Sequence, residues 1–105
     1  MDAFNIFIAY ISWEDSGKTR PVLVIEQHGA VVSVFTITTQ YENKSGVVRS
    51  KYFKISDWKQ AGLDKQSYVD TNIIRDLPFA ALEGKPAIGR LTDADVKRLL
   101  NFMRQ

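Results

Sequence analysis

Arg20 and Pro21, followed by the four apolar residues Val22 to Ile25, constrain the fold more than any other stretch of the chain. Pro21 lacks an N–H, fixes its own φ and pushes Arg20 towards extended backbone, so no helix runs through this point. Val22-Leu23-Val24-Ile25 is too short for a helix and rich in β-branched side chains, which marks a buried strand. A second apolar run, Ala30 to Thr39 (AVVSVFTITT), begins just after Gln27, His28 and Gly29. Two such runs with a glycine in the short gap make a β-hairpin. The polar loop Gly17-Lys18-Thr19 therefore delivers a cation, Arg20, to the mouth of a buried strand.

The remaining chain reads as strands around that hairpin. Phe4 to Trp13 (FNIFIAYISW) carries apolar side chains in both alternation phases, as in a strand of a closed barrel buried on both faces. Glu14 to Lys18 is a polar loop and Tyr41 to Gly46 another. Val47 to Ile55 (VVRSKYFKI) is a fourth strand, and Ser67 to Arg75 (SYVDTNIIR) a fifth that Pro78 keeps from running on. Ser56 is placed to cap a short helix over Asp57 to Ala61, ended by Gly62. Pro86 to Arg90 is a short extended piece. A C-terminal amphipathic helix follows, with Thr92 as N-cap, Asp95 at the third helical position and Leu91 and Val96 as a hydrophobic staple. Its apolar stripe is Val96, Leu99, Leu100 and Met103. At 105 residues this is one domain, 1–105, mainly β with a C-terminal helix.

Composition removes several chemistries. With no cysteine there is no disulfide, thiolate zinc site or cysteine nucleophile, and His28 alone builds no multi-histidine metal centre. The expectation is no metal and no cofactor. No apolar run approaches the roughly 18–20 residues of a bilayer span, and no basic stretch precedes a small-residue cleavage site, so a cytoplasmic protein with no membrane partner is expected.

The net charge of +2 permits a polyanionic partner without demanding one. Between Tyr41 and Gln60, however, Lys44, Arg49, Lys51, Lys54 and Lys59 face only Glu42 and Asp57, and Tyr41, Tyr52, Phe53 and Trp58 are interleaved with them. Cations for phosphates and flat rings for bases are what single-stranded nucleic acid requires. A solvated strand face backed by core aromatics reads the same residues equally well. Along the third strand Thr36, Thr38 and Gln40 share a face opposite Phe35 and Ile37.

Several stretches together carry a resemblance: Gly17-Lys18-Thr19-Arg20-Pro21-Val22-Leu23-Val24-Ile25, then Ile37-Thr38-Thr39-Gln40, then Asp64-Lys65-Gln66-Ser67-Tyr68-Val69, then Ile88-Gly89-Arg90-Leu91-Thr92. In this order the chain resembles the PemK/MazF family of bacterial toxins, the nuclease half of type II toxin–antitoxin modules. The resemblance implies a small SH3-like β-barrel of about five to seven strands with a C-terminal helix, a fold also used by the CcdB proteins. It implies a homodimer, metal-independent cleavage of single-stranded RNA, and a cognate antitoxin whose acidic, flexible tail covers the RNA groove. By position, the family's catalytic arginine falls on Arg20 and its catalytic hydroxyl on Thr38. Lys18, Thr19, Thr36, Gln40, Tyr41, Lys44, Arg49 and Lys51 are the expected RNA contacts. Asp2-Ala3-Phe4-Asn5 stands where the family has Gly-Asp, and the first loop lacks the family's frequent proline.

The chemistry this implies is attack of the RNA 2′-hydroxyl on the adjacent phosphorus, leaving a cyclic phosphate and a 5′-hydroxyl. An enzyme must then stabilise charge on the non-bridging oxygens and align the backbone. Arg20 presents a permanently charged planar fork for the first task, and Thr38 can hold an oxygen in place. Other classes are a non-enzymatic CcdB-like poison that binds DNA gyrase and an inactive SH3-like module binding RNA or peptide. The ending Asn101-Phe102-Met103-Arg104-Gln105 has no tryptophan tip of the CcdB kind.

Register decides whether Arg20 and Thr38 can share a phosphate. A two-residue turn at His28-Gly29 sends them to opposite faces. A three-residue turn, Gln27-His28-Gly29 with Gly29 left-handed, sets Arg20 opposite Thr36 and makes Thr38 its diagonal neighbour. The three-residue turn is therefore the expectation. Asp70 and Arg75 lie on the expected fifth strand, Asp70 as either a groove-edge acid or an exposed strand residue.

Overall fold

The computed structural model describes residues 1–13 and 16–105; Glu14 and Asp15 of the expected first loop lie outside the described residues. Six strands, β1 (Asn5–Trp13), β2 (Ser16–His28), β3 (Val31–Thr38), β4 (Tyr52–Lys54), β5 (Tyr68–Pro78) and β6 (Gly89–Arg90), form one sheet in the order β4-β5-β3-β2-β1-β6. Every pairing is antiparallel and the sheet curls into a half-barrel. No helix among the described residues is long and apolar enough to cross a membrane.

The sheet is covered on both faces. On one, Ile6, Leu23, Phe35, Ile37, Phe53 and Val69 pack against Leu91 and Leu99, so the C-terminal helix α2 (Asp93–Met103) closes this side. On the other, Phe7, Ala9, Val22, Val24, Val32 and Val34 pack against Leu82, with Leu77 and Phe79 at the margin. Burial from both sides holds for β1 only at its start. Ile6 and Phe7 are both buried, but from Ile8 onward Ala9 and Ile11 point in while Ile8 and Tyr10 are exposed.

Several elements depart from the sequence reading, β5 among them, since it runs on to Pro78, which pairs with Val31. β2 begins at Ser16, not Val22, because β1 pairs with it through Lys18, Thr19, Arg20 and Pro21. Pro21 stands one residue beyond the last β2–β3 pair, Val22 with Thr36, where its missing N–H interrupts no bond to β3. The expected fourth strand is replaced over its first half by the short helix α1 (Gly46–Arg49), leaving only Tyr52–Lys54 as β4. Local capping overrides the strand preference of Val47 and Val48: Ser45 Oγ accepts from Val48 N at 3.3 Å, and Ser50 Oγ donates to Val47 O at 2.6 Å.

The helix expected over 57–61 is a turn with a single i→i+4 bond, Ala61 N to Asp57 O at 3.1 Å, ended by Gly62 at φ +93°. Ser56 does not cap it. Asp95, wholly buried on α2, accepts from Ser56 N at 3.2 Å and Asp57 N at 2.8 Å, while Thr92 Oγ1 caps α2 at Asp95 N and donates to Asp57. Helix and turn thus cap each other across the core.

The same turn meets β6 backbone to backbone. A Cβ on Gly89 would collide with the Ala61 carbonyl oxygen, and one on Gly62 with that of Ile88. Neither obstacle is a flexible side chain, so Gly89→Ala is expected to cost about 1–3 kcal/mol or more. Urea denaturation checks this against Gly46→Ala, where the added Cβ meets nothing within 4 Å and little change is expected.

Candidate functional site

Arg20 and Thr38 come together by a different route from the one expected. The hairpin pairs His28 with Val31, so the turn holds two residues, Gly29 and Ala30, with Gly29 left-handed at φ +62°. Continued without interruption, that register would set Arg20 opposite Thr39 and turn Thr38 away. A bulge at Ile25, between the pairs Val24–Val34 and Glu26–Ser33, removes one residue of offset. Beyond it Val22 faces Thr36, and the same register carried two residues further places Arg20 opposite Thr38. The bulge does what the three-residue turn was expected to do, and the pairing is one step tighter.

Both residues line a recess of about 170 Å³ with Lys18, Thr19, Gln40 and Ser67. Thr38 Oγ1 accepts from Gln40 N at 3.0 Å, which fixes the hydroxyl oxygen and leaves its proton available for donation. Arg20 also lines a neighbouring pocket of about 260 Å³ with Ile11, Thr36, Asp70 and Arg75. Its guanidinium therefore stands between two depressions on the sheet face opposite α2.

The second pocket depends on a detour in β5. Thr36 pairs with Asp70 and Val34 with Arg75, so residues 71–74 leave the ladder opposite the single residue Phe35. Two side chains five apart in sequence become neighbours on one face. The detour is held by Thr71, whose N–H and hydroxyl both donate to Lys51 O at 2.9 and 2.6 Å. Asn72 adds two bonds to Asp70 Oδ1, from its backbone at 2.9 Å and its side chain at 2.8 Å.

Tyr52 is the cross-strand partner of Asp70 and shares its face. Burial pushes its hydroxyl above the ordinary tyrosine value, the Asp70 carboxylate pushes it further the same way, and Arg20 opposes both. The hydroxyl keeps its proton at neutral pH and is within electrostatic reach of both charged groups. Next to it Tyr41 stacks on Tyr68 with ring centroids 4.4 Å apart, and the Arg49 guanidinium lies 5.4 Å from the Tyr41 centroid. Tyr41 thus meets both a stacked ring and a cation.

Of the expected RNA contacts, then, Lys18, Thr19, Thr36 and Gln40 surround Arg20, and Tyr41 and Arg49 form one stack beside them. Lys44 sits in the exposed loop leading to α1. Lys51 lines a separate pocket with Phe102 and Met103 at the end of α2. Trp58 packs against the core, and Tyr52 and Phe53 are buried, so three of the four interleaved aromatics are interior. His28 is at the far hairpin end, paired with Glu26 at 3.2 Å.

The sequence places Arg75 only on the fifth strand and Tyr52 only among the rings interleaved with the basic cluster, and assigns neither a place in the site beside Arg20. Arg75 joins it only through the detour, which no local pattern signals. Tyr52 joins it through its pairing with Asp70 across β4 and β5.

The half-barrel with its closing C-terminal helix is a MazF-like fold. Among solved structures it is similar to the Mycobacterium tuberculosis toxin MazF-mt6, with a TM-score of 0.71 over 94% of this chain and 91% of that one. At 23% sequence identity the likeness is one of fold. No protein-family model and no curated protein matches the sequence.

Proposed function

We propose that this protein is the toxin of a type II toxin–antitoxin pair, an endoribonuclease that cleaves single-stranded RNA by 2′-hydroxyl attack without a metal ion. The observation that supports the reading is that Arg20 and Thr38 line one polar recess, with Arg20 also bordering a second, on a MazF-like fold. Arg20 binds the non-bridging oxygens of the scissile phosphate and stabilises the charge that builds on them. Thr38, its oxygen fixed by Gln40 N–H, donates to one phosphate oxygen and sets the orientation of the backbone. Lys18 and Arg75 add positive charge on either side, which raises the affinity for a polyanion and makes it fall with salt. The partners that follow are RNA, an antitoxin with an acidic tail able to lie in the same recesses, and a second copy of the chain; the compartment is the cytoplasm.

The reading is tested by inducing the protein in a bacterial host and following growth, RNA integrity and captured proteins together. Growth arrest with fragmented messenger RNA is expected. Arrest with intact RNA and gyrase recovered on the protein would instead make it a non-enzymatic poison.

A further inference from the structure

A 2′-hydroxyl attack needs a group that takes the attacking proton and one that protonates the departing 5′-oxygen, and neither Arg20 nor Thr38 suits either task. Arg20 stays protonated throughout, and Thr38 is a weak acid and a weaker base. His28, the single imidazole of the chain, sits at the other end of the hairpin with Glu26.

Resting on the nuclease reading, we infer that Tyr52 is the proton donor to the leaving 5′-oxygen and that Asp70, its cross-strand neighbour, takes the proton from the 2′-hydroxyl. The geometry is a single row across the sheet: Tyr52 pairs with Asp70 and Asp70 with Thr36, with all three side chains on one face. Directly opposite residues in such a row hold their Cβ atoms roughly 4.5–5.5 Å apart. Asp70 and Thr36 line the same pocket as Arg20, so a phosphate held by Arg20 lies next to Asp70, with Tyr52 the next side chain along the row. Asn72 donates to Asp70 Oδ1 from its backbone and its side chain, which fixes the carboxylate and leaves Oδ2 for the 2′-hydroxyl.

Tyr52 is only 8% exposed, and burial together with Asp70 keeps its hydroxyl protonated until a developing alkoxide draws the proton away. In the step itself the 2′-O–H bond breaks and its proton goes to Asp70 while O2′ bonds to phosphorus. The P–O5′ bond breaks, its electron pair stays on O5′, and that oxygen takes the Tyr52 proton. A cyclic phosphate and a 5′-hydroxyl leave. Tyrosinate and carboxylic acid then stand side by side, and transfer of the proton from Asp70 to Tyr52 restores the starting state.

The test compares an RNA with its thio analogue, in which sulfur replaces the bridging 5′-oxygen at the cleaved linkage. A thiolate leaves without being protonated. Tyr52→Phe is expected to cut the oxygen-linked RNA about 10²–10⁴-fold more slowly than wild type, yet to cut the sulfur-linked RNA within about threefold of it. Retained activity on sulfur also shows that the variant is folded. Asp70→Asn is expected to lose both activities alike, since both substrates need the 2′-proton removed. Equal losses of Tyr52→Phe on the two substrates, or no loss on oxygen, would overturn the assignment while leaving the nuclease reading intact. Wild-type protein that cuts neither RNA would overturn the nuclease reading and the assignment with it.

Discussion

Arg20→Ala is expected to slow RNA cleavage by about 10²–10³-fold, equivalent to about 2.7–4 kcal/mol of transition-state stabilisation. The effect should lie in kcat more than KM, because the guanidinium meets the phosphate most strongly when charge has built up on its oxygens. Arg75 shares the pocket and Lys18 the adjoining recess, so RNA is still attracted when Arg20 is gone. Arg20→Lys is expected to recover only part of the loss, since a point charge does not reproduce the planar fork. Arg20→Ala should also relieve growth arrest while melting close to wild type: Arg20 is half-buried within β2 and outside the two apolar clusters. Single-turnover cleavage of a short RNA and a thermal melt on the same preparation check both halves.

Asp95→Ala is expected to be the most costly of the stability changes. The carboxylate is fully buried and serves two backbone N–H groups, those of Ser56 and Asp57, as well as two nitrogens of Arg98 at 3.1 and 2.8 Å. Removing it takes the acceptor from both part-buried backbone donors, leaves Arg98 without this partner and detaches the 56–62 turn from α2. The expected cost is about 3–5 kcal/mol, which is a large fraction of the roughly 5–15 kcal/mol that holds a small domain together. Urea midpoints measure it. Asp95→Asn, which keeps an oxygen for one donor but loses the charge, should fall between wild type and alanine.

Features set by neighbouring residues are legible in the sequence, and those set by distant contacts are not. The C-terminal helix is legible because Thr92 and Asp95 state its start chemically, and Thr92 Oγ1 accepts from Asp95 N at 3.2 Å. Its inner face is only partly legible. Leu99 is buried and Val96 packs on the core, but Leu100 and Met103 are exposed and Phe102 turns inward instead, edge-on to Phe53 at 5.6 Å. One helical position separates the two stripes, and an aromatic partner on β4 decides between them.

At the site, strand parity decides which face each side chain takes, and the bulge inside β2 sets it together with the turn. Gly29 is left-handed as expected, yet the residue that brings Arg20 and Thr38 to one face is Ile25, whose bulge has no glycine or proline to announce it. The 71–74 detour is hidden for the same reason: its bonds run to Lys51 and Val48, some twenty residues upstream. Val47 and Val48 misled in the opposite direction, since a strand preference of a few tenths of a kcal/mol yields readily to a serine cap.

The most direct measurement is incubation of the purified protein with single-stranded RNA in excess EDTA, followed by analysis of the new ends, with Arg20→Ala run beside wild type. Internal cleavage by wild type, giving 2′,3′-cyclic phosphate and 5′-hydroxyl ends that Arg20→Ala fails to produce at a comparable rate, is the predicted result. RNA left intact by the wild type, or cut equally well without Arg20, would contradict it.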